Sequence, residues 1–180
     1  MPIRFKPKST KAKAKVRIPT QKPELLVEKC RPQTLDEMVG IDPELLGRLK
    51  SYVKTKNVPH LLFYGPVGCG KTSAALCIVN ELYGAGQTYG YKKYTAANLK
   101  KDNVRNEITR AAKRGSLVSN IPYKIRIIDE CEKMTSDVES MLRGLMEDYS
   151  KTIRFILITN VIEDNRNTLA IKSRAPPLEF

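Results

Sequence analysis

Eight consecutive residues, Gly65-Pro-Val-Gly-Cys-Gly-Lys71-Thr72, constrain the fold of this chain more than any other feature. They satisfy G-x-x-x-x-G-K-[ST]. They also lie between a short apolar run, residues 60–64, and a helix-like stretch from about Lys71 to Tyr83 that Gly84-Ala-Gly86 ends. A strand running into a glycine turn that opens a helix is the context in which this pattern binds phosphate. Small residues at Gly65, Pro66, Val67, Gly68, Cys69 and Gly70 let backbone N–H groups curl around an anion. The helix start at Lys71, Thr72 and Ser73 adds its positive end. The Lys71 ammonium can reach the β and γ phosphates of a nucleotide, and the Thr72 hydroxyl can ligate Mg²⁺.

The rest of the chain continues the alternation. Asp42-Pro43 opens a helix with an N-cap and a proline at the first helical position, and Leu45, Leu46, Leu49, Tyr52 and Val53 follow at helical spacing. Residues 91–96 and 124–128 read as strands. Residues 102–113 read as a basic helix with Val104, Ile108, Ala111 and Ala112 on one face. Val138, Met141, Leu142, Leu145, Met146 and Tyr149 recur at i, i+3, i+4, i+7, i+8 and i+11, and residues 154–159 form a nearly continuous apolar strand. Such a strand is one covered on both faces. Alternating strands and helices predict a three-layer α/β sandwich around a mostly parallel sheet.

Composition fits one domain with a tail. Of 180 residues, 41% are hydrophobic, enough for a core of that size. Residues 1–22 hold eight basic residues and no acid, out of 32 basic residues in a chain of net charge +13. This stretch carries no periodicity and reads as a disordered basic tail, with residues 23–180 as the folded domain. Solvation, phosphate binding and nuclear targeting are all open to the tail. The longest apolar run, Ala74 to Val79, is far short of the roughly twenty residues that span a bilayer. No membrane partner and no secretory signal are expected. Cysteines 30, 69, 77 and 131 have no metal-site spacing with the single histidine, so free thiols are expected.

The strand 124–128 ends in Asp129-Glu130. Two acids at the C-terminal end of an apolar strand suit the other half of a phosphate site. Asp129 would hold the magnesium shell with Thr72, and Glu130 would polarise a water for attack on the γ-phosphate. Asn160, at the end of the last strand, reads either as a group that orients that water or as a turn former.

From about Leu25 to Phe180 the chain resembles the nucleotide-binding domain of the AAA+ superfamily, and within it the small subunits of sliding-clamp loaders (the replication factor C family and its phage relatives). The resemblance rests on Val27-Glu-Lys-Cys-Arg-Pro32, Thr34-Leu-Asp-Glu-Met-Val-Gly40, Pro59-His-Leu-Leu-Phe63, Asp129-Glu-Cys-Glu132, Leu142-Arg143 with Met146-Glu147, Arg154-Phe-Ile-Leu157 leading to Asn160, and Ser173-Arg174. It implies ATP and Mg²⁺ as cofactors. It places Val27, Arg31, Pro32 and Val39 around the adenine, Asn160 as first sensor and Arg174 as an arginine finger on a neighbouring subunit. It implies a hetero-oligomeric ring of loader subunits, a sliding clamp and primer-template DNA as partners. Lys100, Lys101, Arg105 and Arg143 would face that DNA, and the location would be intracellular, nuclear in a eukaryote. The alternatives are an ATP-stabilised DNA- or partner-binding module without turnover, and another AAA+ branch such as a helicase loader.

The chain departs from the family pattern at several places. Cys30 stands for an aromatic, Cys131 and Glu132 for alanine and aspartate, Gly144 for a basic residue and Ala175 for cysteine. The family's lid and collar would follow Phe180, so the chain is expected to carry the nucleotide-binding domain only.

Overall fold

The computed structural model describes residues 30–87, 89–114, 121–161 and 170–180. Two compact units divide at Arg31, and of the first, Met1–Arg31, only Cys30 and Arg31 are described. The basic tail 1–22 and Val27 therefore lie outside the described residues.

In the second unit, α1 (Pro43–Lys54) precedes β1 (Leu61–Tyr64), and α2 (Lys71–Tyr83) leads to β2 (Tyr91–Thr95). Then come α3 (Lys101–Lys113), β3 (Lys124–Asp129), α4 (Ser136–Asp148), β4 (Ile153–Thr159) and β5 (Pro177–Glu179). The expected α1 start is correct in detail. The Asp42 side chain accepts a hydrogen bond from Leu45 N at 3.1 Å, with Pro43 at the first helical position. The five strands form one parallel sheet in the order β2-β3-β4-β1-β5.

The sandwich follows from strand periodicity. Leu61, Phe63, Ile125, Ile127, Ile156 and Ile158 point to one face and pack with α1 and α2 residues such as Leu49, Ala74 and Ile78. The alternate residues Leu62, Ile128, Phe155 and Leu157 point to the other face and pack with Ile108 of α3 and Leu142 of α4. Successive side chains on a strand face opposite ways, so the three central strands are covered on both sides.

Sequence reading missed β5. Its three residues begin with a proline, and it pairs only with β1 at the sheet edge. A proline cannot donate to a ladder, which confines it to such a position and hides the strand from a propensity pattern.

His60, just before β1, is buried and structural. Its Nδ1 accepts from Phe155 N at 3.1 Å, so Nε2 carries the proton and donates to the Met146 carbonyl at 3.2 Å. Burial, and the charge of Arg154 behind it, push its pKa down from 6.5 to about 4. Between those values the unfolded chain binds a proton that the folded chain refuses. Stability should therefore fall as pH drops from 6.5 towards about 4, by on the order of 3 kcal/mol at the limit. Urea unfolding across this range should show that loss, and His60→Gln should flatten its pH slope whatever it does to stability at neutral pH.

Candidate active site

β1, β3 and β4 all end at one edge of the sheet, and a cavity of about 450 Å³ opens there. The register sets this. Tyr64 of β1 lies beside Thr159 of β4, and Asp129 of β3 beside Thr95 of β2. Polar side chains that follow or end these strands are delivered to one place, the usual ligand position in an open parallel sheet.

The glycine loop leaves β1 under a steric constraint. Gly65 has φ +141°, and a Cβ there would sit 2.5 Å from the Phe180 carbonyl oxygen. That close approach exists because Phe180 N donates to Tyr64 O at 2.9 Å, extending the β1–β5 pairing past the strand end. Gly70, at φ +97°, caps α2, and its carbonyl accepts from Ala74 N at 2.8 Å. The N–H groups at the start of α2 therefore have no intrahelical partner and remain for an anion. Lys71 is 95% buried at this point, with 5% of its surface exposed. Its Nζ donates to Gly65 O at 2.8 Å and Pro66 O at 2.6 Å, so the ammonium rests on the loop's own carbonyls.

The acid pair meets the loop. Thr72 Oγ1 donates to Asp129 Oδ2 at 3.1 Å, while Asp129 Oδ1 accepts from Glu130 N at 3.0 Å. A hydroxyl and a carboxylate oxygen so close form the hard-oxygen donor set that suits Mg²⁺. Glu130 adopts the left-handed conformation, φ +58° and ψ +46°. For a non-glycine residue this costs about 1 kcal/mol or more, and such outliers cluster at functional sites. Its carboxylate is paired with Lys133 Nζ at 3.0 Å.

Asn160 lines the same cavity. Its Nδ2 donates to Glu132 Oε1 at 2.7 Å, and its backbone N and Thr159 Oγ1 donate to Glu132 Oε2 at 3.3 and 3.0 Å. Hydrogen bonds from Thr159 and Asn160 hold the Glu132 carboxyl below its usual range, against the desolvation that pulls it up. Glu132 was visible in sequence only as a departure in the Asp129-Glu-Cys-Glu132 motif, and its hold on Asn160 needed the β3–β4 pairing to appear.

The other expected residues lie elsewhere. Arg174 is bound by Glu147 of α4, with Nε 2.8 Å from Oε1 and a second guanidinium nitrogen on the same oxygen. It is not among the residues lining the phosphate-loop cavity. Val67 is the exception, lining the cavity while 84% exposed, whereas Val39 is 94% exposed and does not line it. The Pro32 carbonyl accepts from the Cys77 thiol at 3.3 Å, and Arg31 is exposed. Lys100 caps α3 and, with Arg105, is exposed. Lys101 begins the helix, but its side chain is outside the described residues. Arg143 is half-buried, and its Nη2 donates to Ser140 Oγ at 2.7 Å. Cys69 lies in the loop and Cys131 is fully packed beneath Ile128 O, its thiol pushed well above the normal range by burial. Sequence reading also missed Lys93, whose Nζ lies 2.8 Å from Asp129 Oδ2.

A glycine loop on a helix start after β1, faced by an acid pair at the end of β3, the next strand but one in the same parallel sheet, defines a P-loop nucleoside triphosphatase. Residues 61–177 match the model of the ATPase family associated with various cellular activities (AAA), and the chain belongs to that family. It is 42% identical over 157 residues to the replication factor C small subunit of Staphylothermus marinus, covering 84% of this chain and 47% of that protein. It is also 42% identical over 158 residues to that of Archaeoglobus fulgidus, covering 87% and 48%. The chain thus spans about half the length of the curated relatives it matches. Among solved structures, a Thermotoga maritima RuvB variant superposes with TM-score 0.63 at 23% identity, covering 84% of this chain and 48% of that one. A DNA polymerase III gamma subunit-related protein from the same organism gives 0.57 at 15%, covering 73% and 45%. At these identities the likeness is one of fold.

The Gly65 constraint is testable. Gly65→Ala should destabilise the domain by at least about 2 kcal/mol, since Cβ overlaps a backbone oxygen at a φ that L residues avoid. Hydrogen exchange should show the Phe180 amide opening sooner than in the wild type, because the two segments can no longer lie so close.

Proposed function

We propose that this chain is the ATP-binding and ATP-hydrolysing module of a small subunit of a sliding-clamp loader acting in DNA replication. One observation carries the reading. Lys71, Thr72, Asp129, Glu130 and Asn160 converge on a single cavity at the sheet edge, in a chain whose named relatives are replication factor C small subunits.

Each residue has a part that its chemistry supports. The loop N–H groups and the N-terminus of α2 hold the phosphates, and Lys71 moves from the Gly65 and Pro66 carbonyls onto phosphate oxygens, exchanging neutral partners for charged ones. Thr72 and Asp129 hold the magnesium ion, which when bound neutralises charge on the β and γ phosphates. Glu130 takes the proton of the attacking water, after leaving its surface pair with Lys133. Asn160, fixed by Glu132, orients that water. By the family resemblance Pro32 and Val39 belong to the part of the chain that would face the adenine, with Val27 outside the described residues.

Arg174 serves a neighbour's nucleotide, since its guanidinium stands on Glu147 and does not line this chain's own cavity. A charge supplied in trans contributes about 10³–10⁵ in rate, so the isolated chain turns over slowly. The partners are other loader subunits in a hetero-oligomeric ring, a clamp and primer-template DNA met by Lys100, Lys101, Arg105 and Arg143. The setting is intracellular.

Calorimetry and phosphate release test this reading. Lys71→Ala should weaken Mg·ATP binding by about 1.5–3 kcal/mol, and equal affinity would overturn the site. Glu130→Gln should keep binding and stop hydrolysis. In a ring reconstituted with partner subunits, primed DNA and clamp should raise turnover, and Arg174→Ala should lower the adjacent subunit's rate while leaving this chain's ATP affinity intact. ATP binding with no release under any of these conditions would instead mark a module that uses ATP as structural glue.

A further inference from the structure

Lys93 is placed where no phosphate-loop argument puts a residue. It lies on β2, in register with Ile127 of β3, two positions before the Thr95–Asp129 pair. Two residues along a strand advance about 6.6 Å, within reach of an extended lysine. Its ammonium accordingly arrives at the sheet edge from one strand away, lines the phosphate-loop cavity and sits 2.8 Å from Asp129 Oδ2. That oxygen also accepts the Thr72 hydroxyl at 3.1 Å. The Thr72 hydroxyl and the Asp129 carboxylate, the groups suited to magnesium, thus already meet beside a positive charge.

We infer that Lys93 is a built-in counter-ion of the magnesium site, holding Asp129 in place while the site is empty and giving it up to the divalent ion as Mg·nucleotide binds. This rests on the nucleotide-site reading above. The pair is suited to exchange. The Lys93 side chain is 38% exposed and Asp129 19%, so the ammonium can withdraw into water on its flexible stem. With its lysine end open to water, the pair is weak enough for a divalent ion on hard oxygens to displace. Leaving Asp129 with no cation beside the loop would place an uncompensated, mostly buried carboxylate facing incoming phosphates, and Lys93 removes that repulsion. Its charge therefore has opposite effects on the two forms of ligand. It assists a nucleotide that arrives without metal, and it competes with the metal when the nucleotide brings one.

The measurement is nucleotide affinity by calorimetry, with ADP and a non-hydrolysable ATP analogue, in EDTA and across a magnesium titration. Lys93→Met should weaken binding in EDTA and lower the magnesium concentration at half effect. The ratio of the dissociation constant in EDTA to that in saturating magnesium should rise about three- to tenfold. Lys93→Arg, which keeps the charge, should restore the ratio to within about twofold of the wild type. An unchanged ratio in Lys93→Met, an equal loss in both conditions, or an arginine variant that behaves like the methionine one would each overturn the counter-ion role. If the wild type itself bound no nucleotide in either condition, the nucleotide site would fall and this role with it. The two failures are therefore distinct.

Discussion

The parallel pairing of β4 with β1 on one side and β3 on the other is the constraint on which the site depends. A one-residue slip in either ladder would send every side chain of a strand to the opposite face. Phe155 and Leu157 would leave the layer of Leu142, and Ile156 and Ile158 would leave that of Ile78. Several buried aliphatic and aromatic side chains would change partners at once, at a few kcal/mol each. The same ladders set Tyr64 beside Thr159 and carry Asp129 to the loop. The hydrophobic core thereby fixes the distance between phosphate loop and acid pair without contributing a polar atom to either.

Within that frame the site neutralises itself. Lys71 lies on loop carbonyls, Asp129 faces Lys93, and Glu130 faces Lys133. Charges at the site that would repel or wander are held by partners that can be exchanged, because most of these contacts are partly exposed and singly weak. Lys71 differs, since it is 95% buried and its present partners, the Gly65 and Pro66 carbonyls and the Cys69 sulfur, are all uncharged. An ammonium in that position gains most when a charged oxygen replaces them. The left-handed backbone at Glu130 is a further stored cost, fixed by the Asp129 carboxylate accepting its N–H.

Two carboxylates from outside the phosphate loop also hold polar groups, one at the cavity and one away from it. Glu132, which stands where the family has aspartate, grips Thr159 and both nitrogens of Asn160. The extra methylene of glutamate reaches across to β4 from the turn after β3. Glu147 holds Arg174 on the outside of α4. One orients a residue towards the cavity and the other keeps a cation presented away from it.

Much of this was legible in the chain itself. The α2 boundaries, the Asp42 cap, the α/β alternation and the phosphate loop are local properties, set by period, capping chemistry and the φ freedom of glycine at positions 65 and 70. Asp129 and Glu130 were readable because a strand's last residues go where the strand points. What sequence could not show depends on partners remote in the chain. β5 exists because Pro177, Leu178 and Glu179 find the free edge of β1, not because they favour a strand. Gly65 is required by the Phe180 carbonyl, 115 residues away. Lys93 became part of the site through the β2–β3 register, and Glu132 through β4. The amino-acid sequence by itself determined the elements other than β5 and the pattern of the phosphate loop, since both act over a few bonds. The tertiary structure alone decided which charges meet, because pairing energies of ions and hydrogen bonds fall off within a few ångströms and only the packed sheet brings those atoms that close.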